Sequence, residues 1–476
     1  MSTIAEGMNA ALRAQKAAFA AAMPESLDAR DGRLKRAIAL LIENKELLAA
    51  AVSADFGSRS REQTMLTDIL PAVNALRHAR KHFRSWARGD KRRPLFPLGF
   101  LGAKAEVRYQ PKGVIGIMAP WNFPIGMVMT PLACVLSAGN RAMLKPSEFT
   151  ERTSDLLAEL VARFFAPEEV AVVTGGVETG QAFAALPFDH LMFTGATSIG
   201  RHVMRAAADN LVPVTLELGG KSPTIIGRSA DIDKAAGRIA LGKMMNAGQI
   251  CLAPDYLLVP REDETRMVSA LVAQASAMYP TLLSNDNYAS VINARHRDRL
   301  AAHVADARAK GAEVIEVNPA GEDFAGSNGN KMPLTILRGV NDDMTVMQEE
   351  VFGPVLPVMT YDGIDEAIAY VNAHDRPLGL YYFGRDRTEE ERVLSRTVSG
   401  GVTVNDVIMH ISNDDLPFGG IGPSGMGHYH GVEGFREFSH ARAVFRQTRI
   451  NVAGIAGLRP PYGKATAAQL RRELGK

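Results

Sequence analysis

The sequence is poor in cysteine: its 476 residues include only Cys134 and Cys251. So few thiols exclude a disulfide framework and any cysteine-rich zinc module, and they point to a reducing, cytoplasmic setting. An excess of one charge is also missing. The formal net charge is +2, so no global field calls for nucleic acid or an acidic membrane surface. No apolar run reaches the roughly 18 residues that a bilayer span requires, so no membrane anchor is expected. The opening MSTIAEGMNAALRAQ lacks the basic, apolar and cleavage regions of a secretory signal. A chain of this length buries a large core without staples. Each thiol is then either buried filler or the chemistry itself.

What is present is alternation. Residues 3–22 read as an alanine-rich helix ended near Pro24, and Leu34, Ile38, Leu41 and Ile42 recur at helical spacing. A further helix fits 65–88 and runs into the basic stretch 77–93. That stretch fits phosphate contacts or the solvated face of a helix, and the near-neutral total charge favours the solvated face. PLFPLGFLG at 94–102 marks a boundary or crossing loop. EVRYQ and, near the C-terminus, AVFRQTRI are isolated strand candidates. From GVIGIMAP onward, short apolar runs precede helical segments. RAMLK precedes 152–165, VAVVTG precedes 177–185, HLMFTG precedes 198–208, and VPVTLELGG follows. A second series begins after 220, with PTIIG, 231–245, YLLVP, 262–278, 296–310, EVIEV, PLTIL and VLPVM. It continues with 364–373, LYYFG, 388–398 and GVTVND. This pattern predicts an α/β protein with two doubly wound parallel-sheet domains in series.

Glycine loops suggest a nucleotide. The GxGxxG string at Gly420, Gly422 and Gly425 follows no strand of a βαβ unit, and Pro423 falls where a helix should open. GKS at 220–222 lacks the glycine that a phosphate loop needs at 215, where Thr215 stands. FTGATSIG at 193–200 is better placed, where a strand gives way to a helix and backbone N–H groups can meet a pyrophosphate. Cys134 lies in an apolar helical run, MVMTPLACVLSAG, and reads as a small buried hydrophobe. Cys251 follows Gly-Gln-Ile between two elements, where catalytic groups are often found. A nucleophilic thiol needs a base and oxyanion donors. Glu217 and Asn122 offer these groups, though spacing alone does not join the three. His78/His82 and His428/His430 lack the spacing of a metal site, so no metal is expected.

Taken together, APWNFP, LKPSE, FTGATSIG, LELGGKS, NAGQIC, EEVFGPV and LPFGGIGPSGMG resemble the aldehyde dehydrogenase superfamily in order and separation, over roughly 110–435. CLAPDY, VTVNDVIMH and GMGHYHGVEGFREFSH are similar to its class 3-like branch, whose members are commonly dimers. FDHLMFTG, HVMRAAADNLVPVTLELGGKSP, VIEVNPAGEDFAG and DDMTVMQEEVFGPVLPV resemble the bacterial members that oxidise coniferaldehyde.

The resemblance implies roles. Cys251 is the nucleophile, Glu217 the base that activates water, and Asn122 an oxyanion donor with the Cys251 N–H. Lys145 and Glu148 contact the adenosine ribose. Gly195 and Ala196 lie by the pyrophosphate, Glu350 on the nicotinamide ribose, and Phe352 by the ring. Glu148 favours NAD, with NADP possible. Phe123, Met127, Ile250 and Ile408 are apolar pocket candidates that suit an aromatic aldehyde or a medium- or long-chain aliphatic one. The implied organisation is a cofactor domain (1–92 and 112–219, with a return at 422–438) and a catalytic domain (220–421). An oligomerisation element (93–111 and 439–448) and a tail (449–476) complete a homodimer subunit.

Overall fold

The computed structural model describes residues 2–96, 98–327, 329–455 and 458–475. Its first sheet runs, edge to edge, Gly425–Met426, Val214–Glu217, His190–Thr194, Val114–Met118, Arg141–Lys145 and Val170–Val172. Strands such as RAMLK are buried along their whole length, because helices cover both faces. The chain starts in the middle of this sheet. It moves outward through Arg141–Lys145 to Val170–Val172, then returns to place His190–Thr194 on the other side of Val114–Met118. The strand order therefore reverses between Val114–Met118 and His190–Thr194. The carboxyl ends of those strands open a crevice where open α/β sheets bind ligands.

The second sheet runs Glu313–Val317, Leu334–Arg338, Val355–Tyr361, Tyr256–Pro260, Pro223–Ile226, Gly379–Phe383 and Gly401–Val404. The two series of the sequence are thus two doubly wound sheets, as the alternation predicts. Neither is parallel throughout. Gly425–Met426 runs antiparallel to Val214–Glu217, and Glu313–Val317 antiparallel to Leu334–Arg338. Hydrophobic spacing identifies a strand but carries no information about its direction, which is why Glu313–Val317 was expected to be parallel; Gly425–Met426, two residues in a glycine loop, gave no strand signal at all.

A third, antiparallel sheet joins Asp90–Arg92, Lys104–Pro111 and Ser439–Arg446. Its first strand lies ahead of residue 93, and its last begins earlier than AVFRQTRI. The charged and polar residues at those ends hide the pattern. The expected helix over 65–88 is a continuous run of Arg61–Thr64, a π-helical turn at Met65–Ile69, and Leu70–Trp86. Within the basic stretch, Arg80 and Arg84 pair with Asp31 and Asp28 of the neighbouring helix, and Arg92 pairs with Asp90. No helix among the described residues is long and apolar enough to cross a membrane.

One buried ion pair positions the loop that carries Asn122. Arg59 and Asp68 are fully buried with 3.4 Å between Nη2 and Oδ2. Arg59 donates to the Asn122 carbonyl at 2.7 Å. Asp68 accepts from the N–H groups of Ile125 and Gly126, supplying from outside the acceptor that the start of helix Gly126–Ala138 lacks. Removing one partner strands a charge in the core. Asp68→Ala should therefore destabilise the fold by about 3–5 kcal/mol, read from urea unfolding.

Candidate active site

Helix Ile232–Met244 ends seven residues before the thiol. Asn246 and Ala247, both with φ 51°, and Gly248, with φ 72°, form three consecutive left-handed residues. A side chain at Gly248 would run into the Gly353 carbonyl, so the turn is closed to larger residues. Gln249 is fully buried and pins the turn. Its amide donates to the carbonyls of Asn246 (2.8 Å) and Ser290 (3.0 Å) and accepts from the Ile292 N–H (2.9 Å). Beyond the thiol, the Tyr381 hydroxyl donates to the Leu252 carbonyl at 2.5 Å. Cys251 sits half-buried in this frame.

Asn122 is tied to the same turn. Its Nδ2 donates to the Gln249 carbonyl at 3.1 Å, leaving a second N–H free to donate elsewhere. Its own carbonyl accepts from Asn246 Nδ2 at 3.1 Å.

Glu217 closes strand Val214–Glu217 and is 2% exposed. Neither carboxylate oxygen has a hydrogen-bond partner among the described residues. Burial pushes its proton affinity well above the usual carboxylate range, and the charge of Glu437 adds to this. The Cys251 thiol is pushed up to about 12 by burial, with Glu350 and then Glu217 as the neighbouring charges. The three groups implied by the motifs therefore share one neighbourhood, drawn from both doubly wound sheets.

Cys134 is 4% exposed and is also pushed up to about 12 by burial. The two thiols thus differ in access more than in acidity. Iodoacetamide should label Cys251 well before Cys134. The rate should climb about tenfold per pH unit without a plateau through pH 10, because only the thiolate reacts and its folded pKa lies higher still. Peptide mapping across pH checks both statements.

The cofactor candidates gather at the carboxyl ends of the first sheet. Met118, Lys145 and Phe193 stand level in register. The buried Lys145 Nζ lies 3.4 Å from a Glu148 carboxylate oxygen. Gly195 donates its N–H to the Glu217 carbonyl at 3.0 Å, which links this loop to the base strand. Ala196 precedes helix Thr197–Ala208, whose first N–H groups receive no side-chain cap. Glu350 approaches from the second sheet. Its carboxylate lies against Gly219, where any side chain would strike it, and its Oε1 is buried without a partner among the described residues. Burial and Asp255 push it up to about 8. The Phe352 ring stands edge-on to Trp121 at 5.3 Å.

The pocket candidates meet one apolar cluster. Phe123 and Ile250 are buried in it, and Met127, Ile408 and Cys251 pack against it. The Arg59 guanidinium lies 5.0 Å over the Phe123 ring. Strain is concentrated nearby: besides Asn246 and Ala247, Phe352 (φ 46°), Ile408 (φ 67°) and His430 (φ 86°) are left-handed without being glycine.

Sequence reasoning missed the groups that hold Glu350. Lys221 pairs with Asp255 and donates to the carbonyls of Val346 (2.7 Å) and Glu349 (3.0 Å). Asp255 accepts from the Val351 N–H at 2.9 Å, and Arg299 donates to the carbonyls of Glu350 (3.1 Å) and Val351 (2.7 Å). Lys243 was missed too. It is fully buried with its amine unpartnered among the described residues, and burial lowers it to about 8. A lysine on the otherwise apolar face of helix Ile232–Met244 was the available signal. Among the described residues no three His, Cys, Asp or Glu side chains gather as for a metal.

The sequence model of the aldehyde dehydrogenase family matches residues 2–444. A probable coniferyl aldehyde dehydrogenase of Caulobacter vibrioides is 56% identical over 471 residues, covering 98% of this chain and 97% of that protein. A coniferyl aldehyde dehydrogenase of a Pseudomonas species is 53% identical over 461 residues, covering 97% and 95%. Among solved structures, the substrate-bound state of Staphylococcus aureus AldH superposes with a TM-score of 0.91 at 33% identity, over 98% of this chain and 99% of that one. The indole-3-acetaldehyde dehydrogenase AldA of P. syringae, in complex with NAD+ and IAA, gives 0.85 at 26% identity, over 93% and 89%.

Proposed function

As the chain belongs to the aldehyde dehydrogenase family, we propose that it oxidises coniferaldehyde, or a closely related aromatic aldehyde, to the carboxylic acid with NAD. The observation that carries this reading is the convergence of a half-exposed thiol, an orphaned buried carboxylate and a fixed amide at Cys251, Glu217 and Asn122.

The residues present fit a nicotinamide dinucleotide. Lys145 and Glu148 suit ribose hydroxyls, and the uncapped N-terminus after Gly195 and Ala196 suits a pyrophosphate. The orphaned Glu350 oxygen suits a second ribose, with Phe352 beside the ring. The Glu148 carboxylate disfavours a 2′-phosphate, which supports NAD over NADP. When bound, the nicotinamide supplies the hydride acceptor.

The chain's own residues do the rest. The Cys251 thiolate adds to the aldehyde carbonyl, and Asn122 Nδ2–H with the Cys251 backbone N–H holds the oxyanion. Loss of hydride leaves a thioester on Cys251. Glu217 takes a proton from water, the hydroxide adds to the thioester carbonyl, and the C–S bond breaks to return the thiolate. Phe123, Met127, Ile250 and Ile408 wall the aldehyde. The subunit works as a homodimer in the cytoplasm, its outer strand Ser439–Arg446 offering an open, mostly exposed edge to a second copy.

The test is an aldehyde panel followed by NADH absorbance. Coniferaldehyde should give the highest kcat/KM with NAD. A preference for long aliphatic aldehydes would overturn the substrate assignment, and inertness toward every aldehyde would overturn the activity.

A further inference from the structure

Two amide side chains that the mechanism above does not use join helix Arg61–Thr64 to the thiol turn. The first is Gln63, which lies in that helix just ahead of the π-helical turn. Its N–H donates to the Ser60 hydroxyl at 3.1 Å, and its carbonyl accepts from the Thr67 hydroxyl at 2.7 Å. Both ends of its backbone are thereby fixed. Its side chain reaches Asn246, on the turn that precedes Cys251. Gln63 Oε1 accepts from the Asn246 N–H at 3.3 Å, and Gln63 Nε2 donates to Asn246 Oδ1 at 3.4 Å. Each bond is long, but the pair together admits only one way round for both amides.

Asn246 is the hub. It is fully buried, and its φ of 51° is a left-handed conformation that asparagine tolerates better than most L-residues. Its amide carries two N–H donors, and both are used on the catalytic frame. They meet the Asn122 carbonyl at 3.1 Å and the Gln249 carbonyl at 3.3 Å. The Gln249 carbonyl also accepts from Asn122 Nδ2 at 3.1 Å, so one oxygen sits between the two amides. Asn122 Oδ1 is buried without a partner among the described residues, so the Asn122 amide is anchored there through that single bond. The bridge works in one orientation. With its amide turned over, Asn246 would aim its oxygen at two carbonyl oxygens. Gln63 Nε2 meets the oxygen end of Asn246 and so holds the orientation that the bridge needs.

We propose that Asn246 and Gln63 are positioning residues of the oxyanion site: Asn246 sets the distance between the Asn122 amide and Cys251, and Gln63 fixes the way Asn246 faces. The inference rests on the reading of Asn122 as the oxyanion donor of an aldehyde dehydrogenase. Such a donor works only at hydrogen-bond distance from the place where charge develops, and a displacement of about 1 Å costs about a hundredfold in rate. Donor and nucleophile come from different layers here. Asn122 follows strand Val114–Met118 of the first sheet, and Cys251 precedes Tyr256–Pro260 of the second. Their relative placement therefore depends on bonds between the two, and Asn246 makes one to each side. The thiol itself is held independently. The Gln249 amide keeps its bonds to Asn246, Ser290 and Ile292 backbone groups, and Tyr381 keeps its bond to the Leu252 carbonyl. Loss of the Asn246 side chain should thus release the donor and leave the nucleophile in place.

The test sets two readouts side by side. Stopped flow follows the NADH burst with coniferaldehyde and NAD, and peptide mapping follows iodoacetamide labelling of Cys251. Labelling passes through no oxyanion, so it reports the thiol alone. Asn246→Gly keeps the left-handed backbone and deletes the amide. It should slow the burst by about 10–100-fold and leave labelling within about twofold of wild type. Gln63→Ala, at a half-buried site, should slow the burst by about three- to tenfold. Both changes act through Asn122, so neither should slow the burst by more than about twofold further when added to Asn122→Ala, whereas independent structural damage would multiply. A burst within about twofold of wild type in both variants would overturn the proposal, as would labelling that falls as far as the burst or full losses on top of Asn122→Ala. If Asn246→Gly fails to fold, Gln63→Ala decides alone. A wild-type protein that gives no burst overturns the dehydrogenase reading instead, so the two failures are told apart.

Discussion

Cys251→Ser should reduce NADH formation from coniferaldehyde by on the order of 10⁴-fold or more, while the fold remains intact. The serine hydroxyl is nearly isosteric but far less acidic than the thiol. The site already disfavours anions, because burial, with Glu350 and Glu217 adding to it, pushes even the thiol up to about 12. A serine alkoxide would be harder still to form there, and no histidine base stands among the groups felt by Cys251. The fixed frame of Gln249, Asn122 and Tyr381 does not depend on the sulfur, since its bonds run to backbone carbonyls on either side. Urea unfolding should therefore match wild type. Steady-state NADH absorbance is the readout, and residual turnover above about 1% of wild type would remove Cys251 from the chemistry.

Glu217→Gln should give a different signature. Addition to the carbonyl and hydride loss do not require the carboxylate, so one equivalent of NADH should form per active site. Hydrolysis should then slow by about 10²–10⁴-fold, since that is what a positioned general base contributes. Mass spectrometry of the stalled protein should find the acyl group on the Cys251 peptide. Glu217 is suited to the water step because no group among the described residues holds its oxygens, and burial raises its proton affinity well above the usual carboxylate range. Loss of the burst together with turnover would instead make Glu217 the base for the thiol.

Much of the architecture was legible because buried parallel strands leave continuous apolar runs and amphipathic helices leave a 3.6-residue period. Ile364–Ala373 and Glu313–Val317 fall where the spacing puts them. The direction of Glu313–Val317 was not legible, since a reversed strand keeps the same pattern. The site was legible differently. No periodicity joins Asn122, Glu217 and Cys251, which lie far apart in the chain, and only the ordered motifs single them out. The supports stayed hidden because each is a long-range polar pairing. Lys221 with Asp255, Arg59 with Asp68, and His190 with Thr215 look in sequence like ordinary surface residues. Only the fold shows that Asp255, Arg59, Asp68, His190 and Thr215 are buried and Lys221 half-buried.

The cluster of left-handed residues has a consequence for heat resistance. Asn246, Ala247, Phe352, Ile408 and His430 each hold a backbone conformation that costs an L-residue on the order of 1 kcal/mol. Selection of variants for thermal tolerance alone should find relief here early, at changes such as Phe352→Asn. The same relief loosens the ring beside Trp121 and the turn that aims the thiol. Heat-selected descendants of this protein should therefore tend to be slower enzymes, and gains in both properties should come from the outer helices, far from these turns.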